Sequence, residues 1–300
     1  MFFAGFVCAA AYMLAESTVH PHRHRPSKDA TARAQEIARE SNAVLIETKI
    51  TARDGTELRA WYFSNNAGNG AVLLYHGQAN NREGMLTYVP IFLRHGYSVL
   101  DPDSRAHGDS GGTVASYGLR ESGDVTAWID WLMNQKDPSR IFGLGESMGA
   151  AILLQSMAQE KRFAGLIAEC SFANFRDIAR DRISMMSGFR AGGTIFAPVI
   201  EASFIYARLR YKLNFSDASP EAAVRNTTIP IFLIHGDRDN SIPVHHAEKI
   251  FAANPKAIEF WRVPEARHSA AFGKYPEEFE RRVITFLSSI TAEPKLSDSE

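Results

Sequence analysis

The stretch Arg140-Ile141-Phe142-Gly143-Leu144-Gly145-Glu146-Ser147-Met148-Gly149-Ala150 decides how this chain is read. Residues 140–144 form a short apolar run of the kind that makes a buried strand, and residues 150–159 have helical character. A serine joining such a strand to such a helix sits on a turn too sharp for ordinary backbone angles. Side chains beside it would obstruct that turn, so Gly145 and Gly149 meet a steric requirement. The Ser147 hydroxyl then projects above the sheet at a helix N-terminus, where backbone N–H groups and the helix dipole stabilise developing negative charge. Gly-x-Ser-x-Gly alone is a weak pattern, and its place between strand and helix gives it weight.

The alternation extends in both directions. Residues 71–75, 97–101, 164–170, 229–235 and 257–263 are further apolar runs. Between them lies helical periodicity: Val125, Ile129, Leu132 and Met133 fall on one face, and so do Phe279, Val283, Phe286, Leu287 and Ile290. Ahead of them, residues 44–63 read as two strands turning at Asp54-Gly55, a strong hairpin dipeptide. The pattern predicts an α/β doubly wound, mostly parallel sheet with an antiparallel N-terminal hairpin. One stretch breaks the rhythm. Residues 171–228, rich in Arg, Met, Gly and aromatics, show no clear strand, and an insertion of that length reads as a lid or binding element. The expected organisation is an N-terminal segment over 1–26, a core over 43–170 and 229–290 interrupted by a cap at 171–228, and a polar tail at 291–300.

Composition narrows the function. Lys+Arg 33 against Asp+Glu 34 gives a net charge of −1, so nothing favours nucleic acid, and the expected partner is a small molecule. The two cysteines, Cys8 and Cys170, lie far apart, which argues against a disulfide framework or a cysteine zinc site. No Gly-x-Gly-x-x-Gly loop is present, and neither a metal nor an organic cofactor is implied. Residues 2–14 are apolar or small and uncharged, and a basic, Pro-flanked stretch, His20-Pro21-His22-Arg23-His24-Arg25-Pro26, follows. We read this segment as membrane-associating, with an export signal and a docking helix as alternatives. The absence of Lys or Arg before the apolar run weakens the signal reading.

A serine hydroxyl needs a base to remove its proton. Of the ten histidines, His268 stands in a loop after the last apolar run and before the final helix, where a loop at the sheet's carboxyl edge can lean over the Ser147 turn. An acid should orient that histidine, and the preceding strand ends in His235-Gly236-Asp237-Arg238-Asp239. Asp237, directly after the strand, suits an Asx-turn role, whereas at Asp239 the chain can double back toward His268. Two backbone N–H groups are expected to receive an oxyanion, one from Met148 after the serine and one from Gln78 after His76-Gly77.

With these residues in place, the chain resembles a serine hydrolase of the α/β-hydrolase superfamily, in particular the Bem46-like and abhydrolase-domain 12/13/17 hydrolases and serine-aminopeptidase-type lipases. Beyond the motifs above, the resemblance rests on the hairpin run from Asp54-Gly55-Thr56 to Trp61. It rests also on Asp103-Ser104-Arg105-Ala106-His107-Gly108-Asp109-Ser110-Gly111-Gly112 and on Ala168-Glu169-Cys170-Ser171-Phe172. It covers about residues 44–290. It implies an α/β-hydrolase fold with a helical cap, an acyl-enzyme on Ser147, and hydrolysis of small-molecule or lipid acyl esters or thioesters. His-Gly-x-x-Asp-x-x-x-Pro puts the acid at Asp239, and the resemblance also raises the membrane-anchor reading. Gln78 departs from the pattern, which more often has a small residue or Asn there. Peptidase or acyl-thioesterase activity, or a non-catalytic binding role, uses the same parts and stays open. We expect the cap to form the acyl pocket with Phe189, Phe196, Phe204 and Tyr206.

Overall fold

The computed structural model describes residues 2–135, 139–189 and 191–291, so the expected tail lies, past residue 291, outside them. Eight strands form one sheet: β1 Val44–Thr51, β2 Glu57–Ser64, β3 Ala71–Tyr75, β4 Ser98–Pro102, β5 Ile141–Glu146, β6 Phe163–Glu169, β7 Ile231–Gly236 and β8 Ile258–Val263. Their order is β1-β2-β4-β3-β5-β6-β7-β8. β1 and β2 are antiparallel, and the Asp54 carboxylate accepts the Thr56 N–H at 3.1 Å while Gly55 takes φ 84°, which closes their turn. β2 also runs antiparallel to β4, and all pairings from β4 to β8 are parallel. This is an α/β-hydrolase fold.

The apolar runs are continuous because helices cover both faces. Helices Glu121–Met133, Met148–Ser156 and His245–Ala253 bury their stripes on one face, and Lys28–Glu40, Val89–Arg94 and Pro276–Thr291 cover the other. Of the first expected stripe Val125, Ile129 and Leu132 are buried, but Met133, at the helix end, is exposed. From β3 the chain moves to β4 on one side and β5 on the other. That switch opens a crevice at the carboxyl ends of β3 and β5, where both Gln78 and Ser147 lie.

Between β6 and β7 the described residues form helices Phe175–Ser187, Gly192–Ile195, Ala197–Tyr211 and Pro220–Val224. The first is capped by Asn174, whose side chain accepts the Asp177 N–H at 2.9 Å, and is ended by Gly188 in the left-handed region. Phe175 and Phe215 stack with ring centroids 4.5 Å apart.

The N-terminal segment follows the docking-helix alternative in its packing. Among the described residues no helix is long and apolar enough to cross a membrane, so the expected transmembrane anchor is not met. Helix Phe2–Val19 instead packs along Ala197–Tyr211 with Ala11, Ala15 and Val19 buried and Tyr12 edge-on to Tyr206 at 5.5 Å. Small residues four apart let the helices approach closely. Glu16 then accepts the Tyr206 and Tyr211 hydroxyls at 2.8 and 2.5 Å, and His20 bridges the Thr113 carbonyl and the Tyr211 hydroxyl.

Candidate active site

Ser147 sits at φ 52°, ψ −115°, a conformation a serine adopts only when its surroundings impose it. Its N–H donates to the Glu169 carbonyl at 2.8 Å, which pins the turn to the end of β6. A Cβ on Gly149 would lie 2.0 Å from the Tyr75 carbonyl oxygen, and one on Gly145 2.6 Å from the Ala150 nitrogen. Both glycines are therefore compulsory.

The loop after β8 brings His268 over this turn, with Nε2 2.9 Å from Ser147 Oγ and Nδ1 2.7 Å from Asp239 Oδ2. The other Asp239 oxygen accepts the N–H groups of Ser241 and Ile242 at 2.7 and 2.8 Å. Burial pushes the Asp239 carboxyl up, but the His268 hydrogen bond and charge and these backbone donors outweigh it, and its pKa falls below the ordinary carboxylate value. An ionised Asp239 accepts a hydrogen bond from the N–H at Nδ1, which leaves the Nε2 lone pair facing Ser147. Asp237 does something else: it accepts the Glu265 N–H at 2.6 Å and ties two loops together. The Asx-turn role expected at Asp237 belongs to Asp239 instead.

At the end of β3, His76 Nε2 accepts the Ser104 N–H at 3.0 Å, so the ring proton is on Nδ1 and donates to the Gly77 carbonyl at 2.7 Å. Burial drives its pKa down to about 4, which keeps it a neutral brace for this loop. The backbone N–H groups of Gln78 and Met148 have no hydrogen-bond partner among the described residues. The Gln78 side chain donates to the Tyr117 hydroxyl at 2.7 Å, and that hydroxyl donates to the Thr18 carbonyl at 2.9 Å.

Ser147 opens into a cavity of about 270 Å³. Gln78, Tyr117, Met148, Phe175, Phe204 and Phe215 line it. Of the four aromatics expected there, only Phe204 does so. Phe189 is exposed, Tyr206 is taken by Glu16, and Phe196 sits at the joint between helices Gly192–Ile195 and Ala197–Tyr211. The missed wall is the N-terminal helix, which contributes Leu14, Ala15, Ser17 and Thr18. The spacing of Ala11, Ala15 and Val19, a packing stripe that begins in the apolar run and continues past it, is the sequence signal that points to it.

Beneath the elbow lies a second feature absent from the sequence reading. The Tyr88 hydroxyl donates to Glu146 and lies 3.4 Å from Glu169, whose other oxygen accepts the Ala271 N–H at 3.0 Å. Burial first, and then the Glu146 charge, push Glu169 up to about 8, so the pair holds a proton at neutral pH. Asp181, His245 and His246 also cluster, but His246 Nδ1 accepts the Ala173 N–H, which places the ring proton on Nε2 toward Asp181. That proton occupies the position from which the ring would ligate a cation.

Residues 85–293 match the prolyl oligopeptidase family. The chain is 27% identical over 246 residues to the uncharacterized protein YqkD of Bacillus subtilis, covering 80% of this chain and 78% of that one. It is 24% identical over 201 residues to the mouse lysophosphatidylserine lipase ABHD12, covering 64% and 47% respectively. The fold is similar to that of the Pyrococcus furiosus esterase Pf2001, with a TM-score of 0.72 at 24% identity over 91% of this chain and 98% of that one. The glycine-flanked serine turn at a sheet's switch point, in a chain matched from residue 85 to residue 293, has one consistent account: the chain belongs to the prolyl oligopeptidase family and is a hydrolase of the α/β-hydrolase superfamily.

Proposed function

We propose that this protein is a serine esterase that cleaves acyl esters through an acyl-enzyme on Ser147. The observation that carries the reading is the unbroken line from Asp239 through His268 to Ser147, ending at the mouth of an apolar cavity. Ser147 Oγ attacks the ester carbonyl carbon as His268 Nε2 takes its proton. The Gln78 and Met148 N–H groups, both without internal partners, receive the oxyanion. His268 returns the proton to the departing alcohol, then draws one from water as the water oxygen attacks the acyl carbon; the bond to Ser147 Oγ breaks, His268 gives that proton to Oγ, and the acid is released. Asp239 keeps the imidazole in the required tautomer throughout. Residues 171–228 act as the cap that shapes the acyl site, together with the N-terminal helix.

Thioesters would follow the same path. The geometry favours an esterase over an aminopeptidase, since among the described residues no carboxylate lines the cavity to receive a substrate ammonium group. The names of the esterase and lipase relatives favour esters. The test is labelling by a fluorophosphonate probe together with hydrolysis of a short-chain p-nitrophenyl ester. Both should be lost in Ser147→Ala, with activity reduced ~10⁴- to 10⁶-fold. Activity within tenfold of the parent would overturn the reading.

A further inference from the structure

Helix Phe175–Ser187 turns one face to the cavity, made of Phe175, Ile178, Ala179, Arg182, Ile183 and Met186. Their spacing of three and four is that of a single helical stripe. Five of the six are apolar, and Arg182 interrupts them where an apolar side chain would complete the wall. Among the described residues it is also the sole charged one lining the cavity.

Nothing nearby neutralises it. Among the described residues Arg182 has no hydrogen-bond or ion-pair partner, whereas the surrounding acids are all engaged. Asp177 is held by Lys249 and Asn174, Asp181 by His245 and His246, Glu201 by Arg176, and Glu16 by Tyr206 and Tyr211. It is solvent-exposed where it lines the cavity. The buried Tyr117 hydroxyl, which meets Gln78 beside the serine, feels Arg182 as its principal stabilising charge, against the larger effect of burial. An arginine can lay its aliphatic stem along an apolar wall while its guanidinium stays available for bidentate pairing.

We infer that Arg182 is an anion-binding element of this cavity and that the substrate carries a carboxylate or phosphate group along with its apolar chain. The inference rests on the cavity being the substrate site but not on Ser147 chemistry, and the experiment keeps the two apart. Binding of octanoate, octyl phosphate and 1-octanol to the full chain is measured by titration calorimetry. Because a charge-assisted bidentate pair in a partly enclosed site discriminates by about tenfold or more, at least one anion should bind that much tighter than the alcohol. Arg182→Gln should bring the anions to within roughly twofold of 1-octanol, and Arg182→Lys, a point charge without the fork, should keep part of the preference. A preference for octanoate assigns a carboxylate to the substrate, and one for octyl phosphate a phosphate. Fluorophosphonate labelling of Ser147 in Arg182→Gln reports separately on the hydrolase reading. Equal binding of all three compounds, or an anion preference that survives Arg182→Gln, overturns the inference.

Discussion

The Tyr117 hydroxyl reaches across the fold to the Thr18 carbonyl, at 2.9 Å, and so joins the N-terminal helix to the loop that carries Gln78. Removing residues 1–26 would strip Leu14, Ala15, Ser17 and Thr18 from the cavity wall and leave Tyr117 without its acceptor. We expect kcat/KM on a short-chain ester to fall by about 10²-fold, the scale of a small misplacement of reacting groups. Tyr117→Phe, which leaves the helix in place, should cost a smaller part of that loss. If the truncated, folded protein works at the parental rate, the helix is a bystander.

The two loop acids should separate in kinetics. Asp239→Asn removes the partner of His268 Nδ1 and should lower kcat by ~10⁴. Asp237→Asn perturbs one hydrogen bond to the Glu265 N–H and should change stability by about 1 kcal/mol with little change in kcat. A larger kinetic loss at Asp237 would reverse the assignment.

Chain-length selection should follow the observed lining. Phe204→Ala enlarges the cavity and should shift the ratio of kcat/KM for long against short esters by about tenfold. Phe196→Ala, outside the lining, should leave the ratio alone. Equal responses from the two variants would show that chain length is read elsewhere.

The proton held by Glu169 predicts a pH dependence of stability. The folded chain keeps it up to about pH 8, while the unfolded chain releases it near the ordinary value of 4.5. A raised carboxyl pKa stabilises the fold at low pH, and that contribution is lost as pH climbs through this window. Tm should therefore decline between pH 5 and 8, and Glu169→Gln, which mimics the protonated form, should flatten the decline. Parallel Tm curves for the two proteins would contradict this account.

The sequence by itself determined the sheet, because buried parallel strands must be short apolar runs and each appears as one, from Ala71–Tyr75 to Ile258–Val263. It also determined the serine turn, since Gly149 lies so close to the Tyr75 carbonyl that no side chain fits, a constraint written in the residue type itself. That the loops of His268 and Asp239 meet was readable from their places after strands, as the fold brings such loops to one edge. Only the tertiary structure decided what surrounds them. The apolar run at the N-terminus carries no local mark of the helix Ala197–Tyr211 it packs along, a contact that depends on Tyr206 and Tyr211 reaching Glu16 from about 190 residues away. Phe196 and Phe204 are equally aromatic, yet helix phase turns one into the cavity and leaves the other at a joint. The proton shared beneath the elbow depends likewise on Tyr88, Glu146 and Glu169 meeting from three elements, and no local pattern encodes a contact of that kind.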